Sequence, residues 1–366
     1  MWTPGRETDA GSVVPHNRLT HDSVEVDRLA EVVRSGYWAC GPKTTELEAA
    51  LRRRAGVEHA VCVASGSAAL RLCLQSLSVG SGDSVLIPAY CCVALVNAVL
   101  ARRALPVPVD IRPSDWNLDP EAVADAAAAK RARVVIVVNT FGSPGPVRPL
   151  KDLGLTVIED CAHALGLNAE DGPLGGRADL AITSFYATKL IGAGEGGAVL
   201  TDVGPFAEIV REWRDYTDRS PDPDRRNEKM SDLEAALALC QLHRLDGFLA
   251  RRACCAARYH ELLAAAADRS GAFQLPELAT SRVWYRYAVA LRDQRAIDVI
   301  EAMAAEGVMA EQPICDWRRN VTQEHPTANR AYQHLVSLPC YPSLTEAEQE
   351  RTAAVFLKSC RHRQRP

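Results

Sequence analysis

Seven short, apolar, β-prone runs constrain this chain more than any other feature: residues 61–64, 84–87, 107–110, 134–138, 156–158, 180–184 and 197–200. Stretches of helical composition and spacing, such as 70–77, 93–102 and 120–129, separate most of them. Strands that alternate with helices predict a mainly parallel sheet covered on both faces. Pro106 and Pro108 remove two backbone donors from the third run, which therefore suits a sheet edge. Sites in such folds lie beyond the carboxyl ends of strands. Ser65, Pro88, Asp160 and Ser184 each fall at or just past a predicted strand end, so these distant positions are expected along one edge.

At 366 residues the chain exceeds what one core usually supports. Residues 1–21 are polar, carry Pro4 and Pro15, and read as a flexible arm. A large domain is expected over 22–250 and a small α+β domain over 251–366, the latter with a strand at 283–291, a helix at 296–306 and a closing helix at 345–358. Between sheet and small domain lie a helix at 206–213, a charged loop at 218–226 and one or two helices over 233–267.

Composition excludes some partners. A net charge of −4 with no dense Lys/Arg stripe argues against nucleic acid or an anionic membrane. No run is long and apolar enough to span a bilayer, and the N-terminus lacks an apolar signal core. The twelve cysteines show no CxxC pair or other metal-ligand spacing and read as small buried hydrophobes, which places the chain in a reducing cytoplasm.

Chemistry concentrates at three places. Lys189 ends Ser184-Phe185-Tyr186-Ala187-Thr188-Lys189, and Asp160 ends an apolar run upstream. An ε-amine can form a Schiff base with an aldehyde, and a carboxylate can keep a pyridine nitrogen protonated, so the pair suggests pyridoxal phosphate (PLP). Read singly, the lysine is a solvated charge and the aspartate a turn residue. The third place is Ser65-Gly66-Ser67, a small-residue turn between a β-prone run and a helix. Its backbone N–H groups and the helix dipole suit a phosphate, and Ser65 or Ser67 can add a hydroxyl, although an ordinary N-cap reads the same way. Gly192-Ala193-Gly194-Glu195-Gly196-Gly197 matches the dinucleotide pattern GxGxxG, but a strand rather than a helix follows it, so the glycines are expected to reverse the chain behind Lys189.

In this order the motifs resemble the DegT/StrS family of sugar aminotransferases, from about residue 36 to 357. The resemblance runs through Gly41-Pro42, the 64–70 turn, Ile87-Pro88-Ala89-Tyr90, Val109-Asp110-Ile111 and Ile158-Glu159-Asp160-Cys161-Ala162-His163-Ala164. It continues through the Lys189 segment with Gly194-Glu195-Gly196-Gly197, then Asn227-Glu228-Lys229-Met230 and Ser337-Leu338-Pro339. The resemblance implies PLP fold type I, an α/β fold with a seven-stranded, mainly parallel sheet between helices, and a PLP-dependent aminotransferase. By it, Lys189 and Asp160 are catalytic. Ser184 and the backbone at Gly66 and Ser67 hold the cofactor phosphate, and His163 bonds the ring's 3-oxygen. Asn227 reaches the cofactor phosphate of a partner subunit, which implies a homodimer with shared sites.

The implied reaction moves an amino group from glutamate or glutamine to a keto group on a sugar-like acceptor, a nucleotide-linked ketosugar or a cyclitol, in amino-sugar or antibiotic biosynthesis. The short spacing from Lys189 to Glu195 resembles the 4-ketosugar and cyclitol members. Two positions depart from the family. Cys92 stands where an aromatic commonly stacks on the cofactor ring, and Leu165 where many nucleotide-sugar enzymes have histidine. The alternatives are other PLP chemistry within the family and a non-catalytic binding or regulatory member. Intact Lys189, Asp160 and Ser184 weigh against the second.

Overall fold

The computed structural model describes residues 13–217, 221–318 and 325–361. Its strands are β1 (His59–Val63), β2 (Ser84–Pro88), β3 (Leu105–Val109), β4 (Val134–Val138), β5 (Thr156–Asp160), a small ribbon of β6 (Asn168–Ala169) and β7 (Gly172–Pro173), then β8 (Leu180–Ser184) and β9 (Gly197–Thr201). Seven of these form one sheet in the order β1-β9-β8-β5-β4-β2-β3. The five strands from β8 to β3 are mutually parallel, and β9 runs antiparallel to both its neighbours. All seven predicted runs are thus strands of a single sheet, and β3, with its two prolines, is an edge.

Side-chain alternation explains why the sheet is buried on both faces. Val61, Val63, Ile136 and Val138 enter one apolar cluster, while Ala60 and Cys62, and Val135 and Val137, enter clusters on the opposite face. Helices α1 (Ser23–Ser35), α2 (Pro42–Ala55), α3 (Gly66–Ser76), α4 (Val93–Ala101), α5 (Pro120–Lys130), α6 (Val147–Asp152), α7 (Gly204–Trp213) and α8 (Asp232–His243) accompany it. Their starts are encoded locally: Asp119 caps α5 ahead of Pro120, and Ser231 with Glu234 forms a capping box on α8.

The long helix α9 (Leu245–Ser270) joins two cores, for Leu245 packs with the sheet cluster while Cys255, Tyr259 and Leu263 pack in the second. That second core lies against an antiparallel sheet of β10 (Phe273–Gln274), β11 (Tyr287–Leu291) and β12 (Leu335–Leu338), with α10 (Ala296–Ala305), α11 (Pro326–His334) and α12 (Glu346–Arg361) completing the chain.

Three expectations need correction. Residues 13–21 are not a loose arm: Val14 is 2% exposed and exchanges backbone hydrogen bonds with Gly307 and Met309, both 2.9 Å, because its side chain joins the second core. Residues 1–12 of that arm, and 218–220 of the charged loop, lie outside the described residues. The strand expected from 283 begins only at Tyr287, since residues 283–285 dock on a turn of the large sheet instead. Finally, Cys92, Cys254 and Cys315 are exposed and Cys40 half-buried, so the reading as buried hydrophobes holds for the other eight, and all twelve thiols are free. No described helix is long and apolar enough to cross a membrane.

Candidate active site

β1 ends at Val63 and the chain turns through Ser65 into α3. Ser65 is the N-cap: its Oγ accepts from Ala68 N at 3.1 Å and its carbonyl from Ala69 N at 3.0 Å. The helix therefore offers no partner to the N–H groups of Gly66 and Ser67 at its first turn. Ser67 is exposed. A Cβ on Gly66 would stand 2.9 Å from Ser184 Cβ and 3.2 Å from Ser184 Oγ, so the turn and the end of β8 meet across a gap that only glycine leaves open. An oxyanion set there would face backbone donors, a hydroxyl and the positive end of an eleven-residue helix.

Asp160 ends β5, is 7% exposed, and accepts Ala162 N at 2.9 Å. Burial raises its carboxyl above the ordinary range, against the pull of the Ala162 N–H and of Lys189. Behind it Glu159 is fully buried, paired with Arg177 and bonded by Asn139 and Gly175 N, which fixes the strand end. His163 lies flat on Tyr285, with centroids 4.2 Å apart and planes 16° apart, and Phe141 stacks with it at 6.4 Å. Burial, then the charges of Lys189 and Arg286, hold the imidazole pKa well below its usual value. Its Nδ1 is buried and has no hydrogen-bond partner.

Lys189 completes the group. Its Nζ stands 5.2 Å from the centre of the Tyr285 ring, in cation–π range. The chain behind it reverses tightly, with Phe185 N on Gly196 O at 2.9 Å and Ala187 N on Gly194 O at 3.0 Å, and then enters β9. The glycine-rich segment thus presents the lysine and opens no helix. Burial alone would raise the Tyr285 phenol, but Lys189, Arg286 and the Thr188 hydroxyl outweigh it and the net direction is down.

Gly66 and Ser184 thus meet at the start of α3, and Asp160, His163 and Lys189 form one cluster at the carboxyl ends of β5 and β8. Cys92 is the exposed N-cap of α4, while Cys91 beside it is fully buried. Asn227 is exposed, its Oδ1 accepting Lys229 N at 3.4 Å, and no described contact links it to Lys189 of the same chain. Leu165 is buried in the sheet core. Sequence reading missed Tyr285 and Arg286, because both lie inside a run that looks like plain strand; two large polar side chains in succession were the only signal.

A buried acid, an imidazole with an orphaned nitrogen, a helix start open at Gly66 and an amine over an aromatic ring thus lie together on the sheet architecture of an α/β enzyme. The chain belongs to the DegT/DnrJ/EryC1/StrS aminotransferase family, whose model matches residues 20–356. Solved structures agree. The aminotransferase TlmJ from Streptoalloteichus hindustanus superposes with a TM-score of 0.88 at 25% identity, over 94% of this chain and 98% of that one. DesV of S. venezuelae, solved in complex with a ketimine intermediate, gives 0.82 at 28% identity over 92% and 94%. NtdA of Bacillus subtilis, solved with bound cofactor PMP, gives 0.85 at 25% identity over 97% and 87%.

Proposed function

We propose that this chain is a PLP-dependent aminotransferase that transfers an amino group from glutamate or glutamine to a keto group of a sugar-like acceptor, a nucleotide-linked ketosugar or a cyclitol. The convergence of Lys189 with Asp160, His163 and the Gly66–Ser184 cradle carries this reading. The residues fit the cofactor: its phosphate suits the cradle of Gly66, Ser67 and Ser184, its ring nitrogen suits Asp160, its phenolic oxygen suits the unpartnered His163 Nδ1, and its aldehyde suits Lys189. Cys92, at the exposed start of α4, would lie against one ring face.

When bound, the cofactor supplies an electron sink for carbanion chemistry at the donor's α-carbon. The chain supplies the rest. Lys189 Nζ would hold the aldehyde and is the amine placed to move the donor's α-proton. Asp160 would be the carboxylate partner of the ring nitrogen, and a positive charge there would offset the burial that raises its carboxyl. His163 donates or accepts one hydrogen bond as a neutral ring and keeps a face of Tyr285 covered. We further propose a homodimer in which Asn227 serves the cofactor phosphate of the partner subunit.

Borohydride treatment of the yellow holoenzyme followed by peptide mapping is expected to place the pyridoxyl group on Lys189. Label on another lysine, or on none, refutes the assignment. Incubation with a panel of keto acceptors and either glutamate or glutamine, with products read by mass, then identifies the aminated class; no amine from any acceptor would favour the non-transaminating members of the family.

A further inference from the structure

Arg286 is held on one side only. Its Nη1 lies 3.1 Å from His16 Nε2 and 3.4 Å from both Glu311 Oε2 and Ser337 Oγ. A guanidinium N–H can only donate, so His16 Nε2 is an acceptor and the ring proton sits on Nδ1, 3.1 Å from Glu311 Oε2. Burial, then Arg286 and Arg252, keep that imidazole uncharged. Glu311, His16 and Ser337 therefore fix one end of the guanidinium plane. Every hydrogen bond described for Arg286 leaves from Nη1, while its Nε is buried without a partner.

Arg286 lines a cavity of about 650 Å³ together with Pro15, His16, Thr188, Tyr285 and Ser337. The Arg286 Cζ lies 5.6 Å from the centre of the Tyr285 ring, the same ring that has Lys189 Nζ at 5.2 Å. Arg252, a buried guanidinium of the same wall, instead spends Nη1 on the carbonyls of Trp284, Tyr285 and Cys340 and acts as a pin for the backbone.

We propose that the Arg286 guanidinium, where it lines this cavity, binds the carboxylate of the amino donor, with His16 and Glu311 as positioning residues. This rests on the aminotransferase reading above. Side-by-side N–H groups of a guanidinium match the two oxygens of a carboxylate. An α-carboxylate is one bond from the carbon that reacts, which suits an arginine sharing a ring with the lysine. The phosphates of a nucleotide-linked acceptor lie several bonds from its keto carbon, and a dianion would also meet the Glu311 carboxylate.

The test separates the two half-reactions of the holoenzyme, each followed by the visible spectrum of the cofactor. Arg286→Gln is expected to raise the donor concentration at half-maximal rate by roughly 10–100-fold, for glutamate and glutamine alike. The acceptor dependence of the second half-reaction should stay within about twofold, since only the donor's contact is lost. Arg286→Lys, which keeps the charge and loses the paired edge, should fall between wild type and Gln. His16→Gln should raise the same donor constant by a smaller factor. Calorimetry with succinate, an unreactive dicarboxylate, supplies a reading independent of turnover: binding is expected in wild type and lost in Arg286→Gln. An unchanged donor constant in a folded, yellow Arg286→Gln protein overturns the proposal, as does a shift confined to the acceptor, which would make this an acceptor-phosphate site. Failure of the wild type to react with any amino acid would instead refute the aminotransferase reading itself.

Discussion

With Cys92 at the ring face, as proposed above, the consequence of a thiol there can be sized. Sulfur is polarizable and packs on a ring face, but an aromatic face contact adds on the order of 1 kcal/mol beyond area burial. The site around Cys92 has room, because the residue caps α4 from an exposed position while Tyr90 turns away into a core with Phe141 and Tyr332. Cys92→Phe is therefore expected to tighten PLP by up to about tenfold in a titration of the apoenzyme. Unchanged affinity in a correctly folded variant would assign the ring face to another side chain. Trp317 is an aromatic available for it, since it packs, with Ala162, on the cluster that contains Cys91.

At the scale of elements, the site depends on a contact between the turn after β4 and the segment before β11. Gly142 has φ +91°, and a Cβ there would lie 1.7 Å from Val283 O. Without that side chain Val283 N bonds Gly142 O at 2.9 Å, and Tyr285 comes to rest on His163 and over Lys189. Gly142→Ala adds backbone strain to a collision with main chain, so it should cost about 2 kcal/mol or more in denaturant unfolding and displace Tyr285 from the lysine. Gly80→Ala, where a Cβ would meet nothing within 4 Å, is the matched control and should be near neutral. The same contact marks the limit of what was legible in the sequence. Strand period and turn chemistry place Ser65, Asp160 and Ser184 at strand ends, because those signals are local. Tyr285 and Arg286 arrive on the segment before β11 through a docking that no local pattern encodes, and Val14 takes its place in a core by pairing with the distant segment at Gly307 and Met309. The apparent strand from 283 fails for the same reason: its first residues are claimed by another element.

At the scale of the whole molecule, the exposed surface near Asn227 is unlike a finished one. Its neighbours are anchored: Ala64 N donates to Glu228 O at 2.8 Å, Glu228 pairs with buried Arg71, and Lys229 reaches Asp215 at 2.6 Å. Asn227 itself projects into solvent from this fixed segment. Large aromatics lie bare close by, Tyr216 at 55% exposure beneath Lys229, and Tyr37 and Trp38 at 66% and 55% where Asp232 N bonds the Trp38 carbonyl. A second copy related by a two-fold axis would cover such a patch and give a rigid amide an occupant in the other chain's site. Sedimentation is expected to show a dimer, and subunit mixing tests the sharing. Lys189→Ala and Asn227→Ala should each be inactive as homodimers. In an equal mixture, half the dimers are hybrids, and each hybrid regains one site with lysine and asparagine from different chains, so up to about a quarter of wild-type activity should return. If Asn227 served its own chain, both sites of every hybrid would lack one residue and mixing would restore nothing, an outcome that, with exchange proven by tagged subunits, removes Asn227 from the shared site.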